Sequence, residues 1–67
     1  MIVVGDEIYW CTQNTIYEVI KVDEKNDRLQ LRHKLTQATG RWYVYSYESI
    51  LMAIKNGIVE VVDNGVL

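Results

Sequence analysis

Arg28-Leu29-Gln30-Leu31-Arg32-His33-Lys34-Leu35, followed after a polar loop by Arg41-Trp42-Tyr43-Val44-Tyr45-Ser46, is the stretch that decides how this chain folds. In its first half Leu29, Leu31 and Leu35 share one side with His33, opposite Gln30, Arg32 and Lys34. That is the period of a half-buried strand. The second half is aromatic and β-branched, a composition suited to a pleated surface. Thr36-Gln37-Ala38-Thr39-Gly40 reads as the loop between them, so the two halves are expected to form a hairpin.

The register of that hairpin decides which residues reach solvent. With the leucines inside, the second strand buries either Trp42 with Val44 or Tyr43 with Tyr45. The first choice pairs Leu31 with Val44, His33 with Trp42 and Arg32 with Tyr43, across a loop from Thr36 to Thr39. The second pairs Leu31 with Tyr45 and His33 with Tyr43, across a loop that includes Gly40. Both loop lengths are common in hairpins, and a one-residue slip exchanges the two faces. Tyrosine tolerates exposure through its hydroxyl better than tryptophan or valine, which favours the first register. The expected outer face is then Gln30, Arg32, Lys34, Arg41, Tyr43 and Tyr45, and this face is the expected binding surface.

Toward the N-terminus, Glu7-Ile8-Tyr9-Trp10-Cys11 is rich in β-formers and precedes a turn at Gln13-Asn14. Ile8 and Trp10 are expected in the core, leaving Tyr9 and Cys11 on the other side, where Tyr17 could join Tyr9. The run Thr15 to Val22 is a second strand whose alternation slips at Val19-Ile20, the signature of a bulge that bends the strand. Asp23-Glu24-Lys25-Asn26-Asp27 is an exposed turn.

Toward the C-terminus the period changes. Tyr47, Ile50, Leu51 and Ile54 recur at helical spacing, Ser46 or Ser49 can cap the helix, and Asn56-Gly57 can end it. Ile58-Val59-Glu60-Val61-Val62 is a last strand, and Asp63-Asn64-Gly65 closes it before the Val66-Leu67 tail. The chain therefore reads as mainly β: a four-stranded antiparallel meander, one short helix or helical turn, and a fifth strand that closes against the first. Nothing between residues 1 and 67 resembles a linker, so a single domain is expected.

This order of elements, from Gly5 to Val62, resembles the SH3-like small β-barrels, in which a short helical turn separates strands four and five. The segment Ser49-Ile50-Leu51-Met52-Ala53-Ile54-Lys55-Asn56-Gly57-Ile58 is similar to the tail of short uncharacterised phage proteins. Together the resemblances imply a five-stranded small barrel encoded by a phage.

Composition bounds the function. With 67 residues the domain buries only about 60 % of its unfolded surface, so its stability margin is thin and a partner chain would add to it. Cys11 is the only cysteine, which fits a reducing compartment, and it reads as an inert, partly buried small hydrophobe. No run approaches the length of a membrane span, and Met1 to Glu7 lacks the features of a secretory signal. A cytoplasmic protein translated from a complete short reading frame is expected, with no membrane partner.

The net charge of −2 hides a segregation. Arg28, Arg32, Lys34 and Arg41 stand in a stretch without acids, whereas all nine acidic residues and Lys21, Lys25 and Lys55 lie elsewhere. Basic residues interleaved with aromatics can hold a nucleic-acid backbone and stack its bases. A pI near 5.2 points instead to a protein partner, for which Arg and Tyr are enriched contact residues.

Catalytic groupings are missing. The four glycines are isolated, so no phosphate-cradling loop is present. One Cys and one His cannot make a zinc site, and a Cys11–His33 pair would need a cleft that a barrel of this size has little room to build. Asp6-Glu7 and Asp23-Glu24 are adjacent in sequence and point to opposite faces if extended. The expectation is a non-enzymatic protein-interaction module without metal or cofactor, binding a host or virion protein. The alternative is a nucleic-acid-binding barrel using residues 28–45, and pairing with a second copy is open to a small domain with an uncovered edge.

Overall fold

The computed structural model describes residues 2–34 and 42–63. Strands β1 (Glu7–Trp10), β2 (Thr15–Asp23), β3 (Arg28–His33), β4 (Tyr43–Tyr45) and β5 (Val59–Asp63) form one antiparallel sheet, with helix α1 (Tyr47–Lys55) between β4 and β5. The mainly β class, the five strands and the position of the short helix are as the sequence predicts. Strand order is β4-β3-β2-β1-β5, so β5 does pair with β1, and β4 and β5 are the two edges of an open sheet. Leu35, the loop Thr36–Gly40, Arg41 and the tail Asn64–Leu67 lie outside the described residues. Among the described residues no helix is long and apolar enough to cross a membrane.

The bulge falls where the Val19-Ile20 doublet places it. Val19 opposes Leu31 and Lys21 opposes Gln30, leaving Ile20 as the extra residue. After it the inward positions of β2 change parity, so Val22 faces Leu29 on the same side as Val19 and Leu31. The turn after β2 is a single 3₁₀ turn over Glu24–Asn26, capped by the Asp23 side chain and ended by Asp27 in the left-handed conformation, φ 55°. An aspartate tolerates that conformation better than most residues.

Ser46, not Ser49, caps α1: its hydroxyl oxygen accepts from the Ser49 backbone N–H at 3.1 Å. At the other end Gly57, φ 78°, takes the left-handed position. The Ile58 N–H reaches the Ala53 carbonyl and the Gly57 N–H reaches that of Ile54, the paired closure of a Schellman motif.

The core lies between the concave side of the sheet and α1. It joins Ile8 of β1, Tyr17 and Val19 of β2, Leu29 and Leu31 of β3, Tyr47 and Ile50 of α1 and Val59 of β5. Each such aliphatic side chain contributes roughly 1.5–3 kcal/mol by leaving water. Ile2 also belongs to it, brought in by a turn in which the Val3 N–H donates to the buried Asp6 carboxylate at 3.0 Å.

The register of the central hairpin departs from the favoured expectation. Leu29 opposes Tyr45, Gln30 opposes Val44 and Leu31 opposes Tyr43, so the tyrosines turn inward and Trp42 and Val44 outward. This is the face assignment of the second register, reached with a different pairing. Its cause lies at the helix start. Ser46 is extended (φ −66°, ψ 128°), so strand alternation carries through it and Tyr45 falls on the side of Tyr47. Tyr47 is buried in the core, and its inward position fixes Tyr45 and Tyr43 inward as well.

Two smaller expectations also change. Tyr17 opposes Ile8 and is buried, so it does not join Tyr9, which opposes Ile16 on the outer side. Cys11 is exposed rather than partly buried because the chain has already left β1 and entered the turn.

Candidate functional site

The expected binding face is split by this register. Gln30 and Arg32 project outward from β3, whereas Tyr43 and Tyr45 project from β4 to the inner side. Trp42 and Val44 take the outer positions beside Gln30 and Arg32, with 57 % and 53 % of their surfaces exposed. Lys34 lies just past the end of β3, held by its N–H to the Ile16 carbonyl at 3.0 Å. Arg41 lies outside the described residues.

The charges on the outer face are locally matched. The Arg32 guanidinium meets Glu18 of the neighbouring strand at 3.0 Å, and the Lys34 ammonium is paired with Glu7 of β1. Exposed pairs of this kind hold side chains in place more than they stabilise the fold, at about 0–1 kcal/mol each. What they leave at the β4 edge is an uncharged strip of Trp42 and Val44 beside Gln30.

Tyr43 and Tyr45 enter an aromatic cluster that spans four strands on the inner side. The Trp10 ring lies 5.3 Å from that of Tyr45 and 5.8 Å from Tyr17, while Tyr17 lies 4.7 Å from His33 and 6.1 Å from Tyr43. His33 and Tyr43 meet edge-on at 5.7 Å. Tilted and T-shaped contacts at these separations are the favourable geometries for aromatic pairs. The Tyr17 hydroxyl donates to the Gln13 side-chain oxygen at 2.6 Å. Burial, with smaller contributions from the Tyr45 and Tyr43 phenols, pushes the Tyr17 hydroxyl above the ordinary tyrosine value.

Elsewhere the surface offers little room for chemistry. A cavity of about 80 Å³ is lined by Lys21, Asp23, Arg28, Leu29 and Gln30. Asp23 is engaged there as a cap, accepting from the Asn26 side chain at 2.8 Å and from its backbone N–H at 3.3 Å. The side-chain bond, with lesser help from Lys21 and Arg28, holds this carboxyl below its usual value against a small opposing effect of burial. His33 packs among tyrosines, while the Cys11 thiol is directed at the Glu60 carboxylate, 3.8 Å away. Among the described residues no group of three or more His, Cys, Asp or Glu side chains is arranged to hold a metal ion.

Trp42 and Val44 are the surface residues that the favoured sequence register misplaces. A signal for them was present: one extended residue between a strand and a helix hands the strand's parity to the helix's first buried residue. Comparisons with known protein families, with curated proteins and with solved structures found no match for this chain.

Proposed function

We propose that this chain is a non-catalytic protein-interaction module of SH3-like architecture that meets its partner through the outer side of β3 and β4. The strand order, with a helix between strands four and five, supports the SH3-like reading. The observation that carries the interaction reading is Trp42 and Val44, both more than half exposed, side by side on an edge strand and flanked by Gln30 and Arg32. Tryptophan and arginine are the residue types that dominate binding energy at protein interfaces. The likeness of residues 49–58 to short phage proteins makes a host or virion protein the favoured partner class.

The nucleic-acid reading is weakened by the same register. Stacking rings and phosphate-binding cations must line one groove. Here Tyr43 and Tyr45 stand on one side of the sheet while Arg32 and Lys34 stand on the other, already matched to Glu18 and Glu7.

Pull-down from the source cells tests the proposal. A stoichiometric protein partner should be lost with Trp42→Ala/Val44→Thr and kept with Met52→Ala, an equally exposed change on α1. A partner indifferent to the β4 changes, or none, overturns it. Binding of a single-stranded oligonucleotide at about 50 mM salt that fades steeply as salt rises would favour the alternative.

A further inference from the structure

We propose that β4 pairs antiparallel with β4 of a second copy of this chain, forming a two-fold symmetric dimer with Val44 on the axis. The inference rests on the interaction reading above and names one partner for the same edge.

The two edges of the sheet are built differently. β5 carries an irregularity where its pairing with β1 shifts between Glu7 and Ile8, it exposes Glu60, and α1 packs beside it. Bulges, edge charges and flanking helices are the devices by which sheets prevent edge-to-edge pairing. β4 has none of them. From Trp42 to Ser46 it contains no charged residue and no proline, and its pairing with β3 is regular.

Self-pairing of β4 has one favoured register. Opposed residues must share a face for the two sheets to continue as one, so the axis passes through a residue rather than between two. An axis at Val44 uses the whole stretch, setting Val44 against Val44, Tyr43 against Tyr45 and Trp42 against Ser46 of the second copy. No like charges meet. The outer face gains a central apolar pair flanked by the two tryptophans, and the inner face gains two cross-strand tyrosine pairs, a stabilising combination. Immediately beyond lies Gln30 in each copy, opposite Val44 and uncharged. Because β5 is guarded, growth stops at the closed dimer rather than continuing as a filament.

A three-residue edge strand buries little area, toward the small end of specific interfaces, so association is concentration-dependent. Sedimentation of the full chain carrying Cys11→Ser, from about 10 µM to about 1 mM, should show the mass rising from 7.8 kDa toward twice that value. Val44→Lys places two ammonium groups on the axis and should shift the midpoint at least about tenfold, while Val61→Lys on β5 leaves it unchanged. Across an antiparallel pair the Cα separation of about 4.5–5.5 Å suits a disulfide. In the Cys11→Ser background Val44→Cys should therefore give a covalent dimer on mild oxidation, and Val61→Cys should not. The Val44→Cys result also decides the matter if Val44→Lys fails to fold.

A chain monomeric throughout, a dimer insensitive to Val44→Lys, or equal cross-linking through Val61→Cys overturns the proposal. A monomer that still loses a foreign partner on Trp42→Ala/Val44→Thr overturns self-pairing and leaves the interaction reading standing. A dimer with no foreign partner supports self-pairing and removes the host or virion protein.

Discussion

The Asp27 carboxylate accepts a hydrogen bond from the backbone N–H of Glu48 at 2.8 Å. The same carboxylate accepts from the Ser46 hydroxyl at 2.7 Å, and the Asp27 carbonyl accepts from the Tyr47 N–H at 3.2 Å. The turn between β2 and β3 is thereby fastened to the first turn of α1. It satisfies N–H groups that a helix start otherwise leaves open and sets an anion at the positive end of the helix dipole. The clamp also fixes how the chain leaves β4, and with it the inward direction of Tyr45 and Tyr47.

Asp27 should therefore make stability depend on pH. Its bonds to Glu48 and Ser46 hold the carboxyl below the ordinary aspartate value. A depressed carboxyl contributes stability that is complete above its unfolded pKa of about 3.9 and is lost as pH falls through the lower native value. Asp27→Asn keeps the size and tolerates the left-handed backbone but removes the charge. Its melting temperature should lie below wild type at pH 6, and the gap should close as pH drops below about 4. A gap constant down to pH 2 would show that the charge contributes nothing.

The hairpin register predicts an inversion of the usual ranking of aromatic truncations. Tyr45→Ala removes a ring packed on Trp10 and the core and should cost about 2 kcal/mol in urea denaturation. Trp42→Ala removes a larger ring from the surface and should stay within about 0.5 kcal/mol of wild type. The opposite order would restore the register that buries Trp42 and Val44.

Leu31 is fully buried at the centre of the sheet. Leu31→Ala should cost about 2–5 kcal/mol, the range for deleting a buried leucine. For a chain of this length that is a large share of the total stability, and equilibrium urea titration at low temperature should show a partly unfolded population before denaturant is added.

Gly57 isolates backbone conformation from packing. A Cβ there meets nothing within 4 Å, yet φ is +78°. Gly57→Ala should cost about 1 kcal/mol, and Gly57→Asn less, because asparagine enters the left-handed region more readily. Equal losses for both would indicate a steric origin.

Local signals carried most of the fold. The Val19-Ile20 doublet announced the bulge, Ser46 and Gly57 marked the helix ends, and β-branched and aromatic runs marked the strands. These depend on residues close in sequence. The orientation of β4 depends instead on Trp10, Tyr17 and His33, which approach it only in the folded sheet and receive tyrosines rather than an aliphatic pair. Gln30 and Arg32 were placed outward correctly because β3 alternates without interruption, whereas the tyrosines followed a loop whose length admits more than one register. Comparing the solvent exposure of Trp42 with that of Val44 could not substitute for knowing that Tyr47 is anchored.

The extra residue in β2 also bears on how sequence length can vary in this fold. Before Ile20 the inward side chains are Tyr17 and Val19; after it comes Val22. Removing Ile20 would leave Tyr17, Val19 and Val22 in strict alternation, with Lys21 between the two valines on the outside. A chain one residue shorter at this point keeps the same core composition and loses only the bend. In an alignment of such chains the single-residue gap belongs at Ile20, even though Asp23 to Asp27, a polar surface turn, is where a gap would ordinarily be placed.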